Sequence, residues 1–99
     1  MTETQCSIAE WQQANFPAAT KEGIIRHLSE EFEEFLFAAS NPTSIIDAEE
    51  EAADILILLY AWSTANNIDL QSAVNEKMRI NRSRTWIIQP DGTGRHTKP

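Results

Sequence analysis

The residues best suited to chemistry in this chain are carboxylates set at helical spacing. Glu30-Glu31-x-x-Glu34 is followed, after sixteen residues, by Glu51-x-x-Asp54, and nine of the fifteen acidic residues fall between Glu30 and Asp54. Side chains three apart on a helix are neighbours, so each motif presents a carboxylate pair. Two like charges about 5 Å apart repel by roughly 3 kcal/mol at an effective dielectric of about 20, so a crowd of them needs a cation. Oxygen-only ligands with room for water suit Mg²⁺ or Mn²⁺. The bland alternative is that these acids are solvated helix-surface groups. A lone pair would be read that way, but two pairs beside apolar faces favour the metal.

The flanking sequence supplies helices to carry them. Ile24, Ile25, Leu28, Phe32, Phe35, Leu36 and Ala39 form one broad apolar arc on a 3.6-residue helix. Glu31 falls at the edge of that arc, Glu34 and His27 follow it round the same edge, Glu30 lies further out, and Glu33 faces away. The run Ile55 to Trp62 is apolar on all sides, which predicts burial on most of them. Counted back by whole turns, the Leu58 direction meets Asp54, Glu51, Glu50 and Asp47. Glu50 is thereby a possible extra ligand, and Glu49 points out.

Capping signals set the expected boundaries. Ser7 with Glu10 resembles a capping box, so a short first helix is expected from Ile8 to about Asn15, before Pro17. Thr20 caps a second helix ending near Ala39, and Ser44 caps a third reaching about Ala65. Asp69 starts a fourth that runs to about Thr85. Thr85 to Gln89 is a possible short extended piece, and Pro90 to Gly94 is turn-rich. The expected fold is all-α, with four helices in a single domain spanning 1–99, and about 1–6 and 93–99 flexible.

The fourth helix has a second pattern. Its apolar stripe of Leu70, Ala73 and Val74 continues by whole turns into Lys77, Asn81 and Arg84, so the inward line is expected to change from apolar to cationic. Such a line suits an anion next to the acids, although salt bridges to the excess carboxylates would also use it. Arg79 and Arg82 point elsewhere. Trp86, beside Arg84, is a packing group or a stacking surface for a base. Trp11 is expected to dock the first helix, and His27 to hydrogen-bond a neighbouring carboxylate rather than act as a base.

Whole-chain properties bound the rest. A net charge of −7 argues against a nucleic-acid partner, and six of the eight Lys and Arg lie at or after Lys77, an arrangement suited to a metal-carried polyanion. With Cys6 as the lone cysteine, a reducing compartment is expected. No signal peptide or membrane span is read, so the expectation is a cytoplasmic protein without a membrane partner. Ninety-nine residues bury a limited core, which favours completion by oligomerisation. The rival reading is a non-catalytic helical interaction module with segregated acidic and basic faces.

The double acidic motif, with Lys77-x-x-x-Asn81-x-x-Arg84 closing the fourth helix, resembles the signature of the MazG-like, all-α nucleoside triphosphate pyrophosphohydrolases. The frame of Ile8-Ala9-Glu10-Trp11-Gln12, His27-Leu28, Trp86 and Asp91-Gly92 is similar to the short bacterial and phage-type branch acting on purine deoxynucleoside triphosphates. The resemblance implies cleavage of a (deoxy)nucleoside triphosphate between its α and β phosphates, giving monophosphate and pyrophosphate, with dGTP and dATP favoured and GTP possible. It further implies two or more Mg²⁺ or Mn²⁺ ions on Glu31, Glu34, Glu51 and Asp54. Glu30 would bind a further ion or orient the water, and Lys77, Asn81 and Arg84 would bind phosphate, with Trp86 beside them at the substrate. A homodimer or homotetramer is implied, in the host cytoplasm if the gene is a phage's.

Overall fold

The computed structural model describes residues 2–41 and 45–97. Four helices run in order, α1 (Gln5–Asn15), α2 (Lys21–Ala39), α3 (Ile45–Ala65) and α4 (Leu70–Ser83), followed by two short strands, β1 (Trp86–Ile88) and β2 (Gly94–His96). The all-α expectation holds, with a small hairpin added at the end.

The α2 helix starts where Thr20 Oγ1 accepts the Gly23 amide at 3.0 Å, with Glu22 in the first turn where the helix dipole favours an acid. Its end is closed by Ser40, whose hydroxyl donates to the Leu36 carbonyl at 2.7 Å. The first helix begins earlier than expected. Thr4, not Ser7, is the cap, and Thr4 and Ser7 cap each other reciprocally, so Ser7 fills the role that the sequence reading assigned to Glu10. Asp69 caps α4 by accepting the Ser72 amide, as expected. The proposed cap of α3, Ser44, lies outside the described residues.

Packing centres on α2 against α3, with α1 laid across α3. The buried residues are few and mostly small: Ala38, Ala48, Leu58 and Ala61, with Ser63 fully enclosed and its hydroxyl donated to the Leu59 carbonyl. The apolar arc of α2 divides. Ile24, Leu28, Phe35 and Ala38 lie on its covered side, while Ile25, Phe32 and Leu36 remain about half exposed. The run Ile55 to Trp62 is less buried than expected, with Leu56 47% exposed, because one chain supplies only α1 and α2 to cover it. A radius of gyration of 16.3 Å, against about 13 Å for a compact chain of this length, fits a fold that leaves packing surface unused.

The fourth helix departs most from expectation. It contains no buried residue, packs along none of the other helices, and leaves Val74 and Met78 open. The stripe that was expected to face inward is therefore exposed at Ala73, Val74 and Lys77 and only partly covered at Asn81 and Arg84. What aims α4 is the turn before it, where Asn67 takes a left-handed φ of 57° and the Ile68 amide reaches back to the Ser63 carbonyl. Gln5 of α1 clamps that turn. Its side-chain amide donates to the Ile68 carbonyl at 2.7 Å and its oxygen accepts the Leu70 amide at 2.9 Å. After α4, β1 and β2 pair antiparallel with Trp86 opposite His96, around a turn in which Gly92 has a φ of 88°.

Candidate metal centre

Antiparallel packing of α2 on α3 brings the two acidic motifs together. Glu31, Glu51 and Asp54 each offer a carboxylate oxygen, and these atoms lie within 4.8 Å of one another. The Glu31 side chain is only 15% exposed and accepts a hydrogen bond from His27 Nε2 on its Oε1 at 3.2 Å. Its Oε2 is buried without a partner, and so is Glu51 Oε2. Buried polar oxygens are rarely left unpaired, since each forfeits its water hydrogen bonds.

The electrostatics agree with the geometry. The Glu51 carboxyl is pushed above its ordinary value, first by the adjoining Glu31 carboxylate and then by partial burial. Glu34 opposes the shift by hydrogen bonding, and the charges of Glu31 and Asp54 add to it. Removal of that repulsion by a divalent cation would also satisfy the two orphaned oxygens. Hard, all-oxygen donors with open positions fit Mg²⁺ or Mn²⁺.

Two hollows flank the cluster. On one side Glu31 and Asp54 close the end of a cavity of about 520 Å³, walled by Trp11, Gln12, Phe16, Ile24, His27 and Ile57. Trp11 and Phe16 meet edge to face there, with ring centroids 5.5 Å apart. On the other side Glu30, Glu33, Glu34, Asp47 and Glu51 line an open acidic groove with Phe37. Glu34 and Glu30 are exposed, and Glu50 is exposed and lines neither hollow.

The cationic residues lie elsewhere. Among the described residues, no ion pair joins Lys77 or Arg84 to a carboxylate of the cluster, and neither they nor Asn81 and Trp86 line either hollow. Trp86 instead donates its indole N–H to the Asn81 carbonyl at 2.9 Å and packs on His96. Asn81 Oδ1 is buried and unpaired. The reading of Trp11 as a docking residue captures only part of its place, because it is 53% exposed and forms cavity wall. Phe16 was not singled out at all. The available signal was an aromatic pair flanking the α1 terminus, Trp11 and Phe16, just before Pro17.

Two helices that bring Glu31 of one to Glu51 and Asp54 of the other belong to an all-α, MazG-like pyrophosphohydrolase fold. Comparison with known proteins narrows this. A family model described as dATP/dGTP pyrophosphohydrolase matches residues 4–98, and the chain belongs to that family. It is 33% identical over 98 residues to a dATP/dGTP diphosphohydrolase of Cyanophage S-2L, covering 97% of this chain and 87% of that protein. A dATP/dGTP diphosphohydrolase of Salmonella phage PMBT28 is 34% identical over 96 residues, although the chain spans only 31% of that longer protein. Among solved structures, the Cyanophage S-2L MazG-like pyrophosphohydrolase bound to dGDP and three catalytic Mn²⁺ ions per active site superposes with a TM-score of 0.73. The match has 33% identity and covers 96% of this chain and 90% of that one. No described helix is long and apolar enough to cross a membrane.

Proposed function

We infer that this chain is a metal-dependent (deoxy)nucleoside triphosphate pyrophosphohydrolase with a preference for purines, splitting the α-β phosphoanhydride to release the monophosphate and pyrophosphate. The observation that carries this reading is the convergence of Glu31, Glu51 and Asp54 at the end of an aromatic-walled cavity. The cavity has the size range of small-molecule sites and an apolar lining against which a purine can lie, with its phosphates at the carboxylate end. Glu31, Glu51 and Asp54, joined by Glu34 and Glu30 from the groove side, would hold two or more Mg²⁺ or Mn²⁺ ions. When bound, such ions neutralise the phosphate oxygens and activate an in-line water. Glu30 and Glu34 stand on the open side of the cluster, where a carboxylate can orient that water and take its proton.

The reading includes a homodimer or homotetramer in which Lys77, Asn81 and Arg84 grip phosphate oxygens in a neighbouring protomer's site. Two features support it. The fourth helix is basic and unpacked, and half-exposed apolar side chains on α2, α3 and α4 await cover. The negative net charge supports a nucleotide rather than a nucleic acid as the partner.

The test is incubation with a panel of deoxynucleoside and nucleoside triphosphates plus Mg²⁺ or Mn²⁺, with products resolved by chromatography. Monophosphate and pyrophosphate are expected, fastest from dGTP and dATP and abolished by EDTA. A folded protein that turned over none of them with either metal would leave the interaction-module reading instead.

A further inference from the structure

We propose that His27 is a positioning residue for the metal centre, one that holds Glu31 in its ligating pose and takes no proton in the reaction. The inference rests on the reading of the acidic cluster as a divalent-cation site. His27 lies one helical turn before Glu31, and its Nε2 is 3.2 Å from Glu31 Oε1. The ring is 56% exposed while the carboxylate it touches is 15% exposed, so the imidazole sits at the rim of the site and the acid sits inside it. A carboxylate oxygen only accepts, so the proton between them belongs to Nε2, and the ring nitrogen nearest the cluster is already committed.

The consequence falls on the other oxygen. A helical glutamate next to Glu51 and Asp54 is repelled by both and has free side-chain torsions through which to swing away. Anchoring Oε1 limits that swing and leaves Oε2, buried and unpaired, in the cluster. Ligating carboxylates are commonly oriented by such partners, and losing one typically costs roughly 10- to 100-fold in metal affinity or activity. The His27 contact aims Glu31 at Glu51 and Asp54 from within its own helix.

The experiment is a Mn²⁺ titration of the full chain without nucleotide, followed by electron paramagnetic resonance, on the wild type, His27→Leu and His27→Gln. Glutamine sets an N–H donor near the position of the imidazole Nε2. His27→Leu is expected to weaken Mn²⁺ binding by about 10-fold or more, and His27→Gln to stay within about 3-fold of wild type. In turnover assays the Mn²⁺ concentration for half-maximal rate should shift with the binding constant. Wild-type Mn²⁺ binding by His27→Leu would overturn the proposal, as would a glutamine variant no better than leucine. A kcat that remained low at saturating metal would assign His27 to proton transfer instead. A wild-type chain that bound no Mn²⁺ would remove the cation-site reading itself, and with it this inference.

Discussion

The acidic and basic halves of this molecule are built on opposite terms. Glu31, Glu51 and Asp54 stand on two helices packed along each other, so a single chain assembles that triad from its own contacts. Lys77, Asn81 and Arg84 stand on a helix with no buried residue, joined to the rest through a clamped turn. The contrast separates a triad that one protomer assembles for itself from a basic helix in which one protomer buries no residue.

The largest expected effect comes from attacking the self-contained half. Glu51→Gln and Asp54→Asn should each lower kcat by at least about 10²-fold, with far-UV helicity retained. Either variant turning over dGTP at the wild-type rate would dissolve the contrast.

A mixing experiment bears on the other half. Lys77→Ala and Arg84→Ala should each cost roughly 10- to 100-fold in kcat/KM. If the basic helix works on a neighbour, unfolding Glu51→Gln together with Arg84→Ala and refolding the mixture restores sites that draw acids from one chain and cations from the other. For a dimer, activity should then recover to roughly a quarter of wild type. No recovery from mixed oligomers would place both halves of each site in one chain.

A smaller effect separates the halves by pH. Metal-free Glu51 keeps its proton to higher pH when folded than when unfolded, because its carboxyl is raised above 4.5 beside Glu31. The folded state therefore binds the extra proton in the window just above that value, and the Glu51 contribution to stability falls as pH rises through it. Thermal midpoints of wild type should drop relative to those of Glu51→Gln across this window, and Mn²⁺ should close the gap. A pH-independent difference between the two would show that Glu51 carries no such strain.

The smallest effect concerns the hinge. Gln5→Ala removes hydrogen bonds to Ile68 and Leu70 and is expected to cost about 1–2 kcal/mol of stability. It should also lower kcat/KM while leaving Mn²⁺ binding unchanged, which would confine the damage to the basic half.

Legibility in the sequence follows the same divide. The helices of the acidic half could be read because their determinants are local: Thr20 caps, Ile24, Leu28 and Phe35 recur with helical period, and the acid pairs lie three apart. The start of α1 was missed because Ser7 suggested a cap, whereas its hydroxyl serves Thr4 from inside the helix. The second strand was missed because Gly94-Arg95-His96 has little strand character and is ordered by pairing with Trp86 to Ile88. Periodicity identified the stripe on α4 but could not say what it faces. In Lys77, Asn81 and Arg84 the pattern records a direction, and α4 buries no residue in that direction within one chain.

The Gln5 clamp has a mechanical meaning beyond its hydrogen bonds. Fourteen residues of α4 make a rod about 21 Å long. A tilt of about 10° at its base would sweep the far tip through roughly 4 Å, more than the length of a hydrogen bond. One glutamine amide at the foot of the rod thus sets the aiming error at Arg84, and under the phosphate-binding role proposed for that residue an error of that size would separate a grip from a miss.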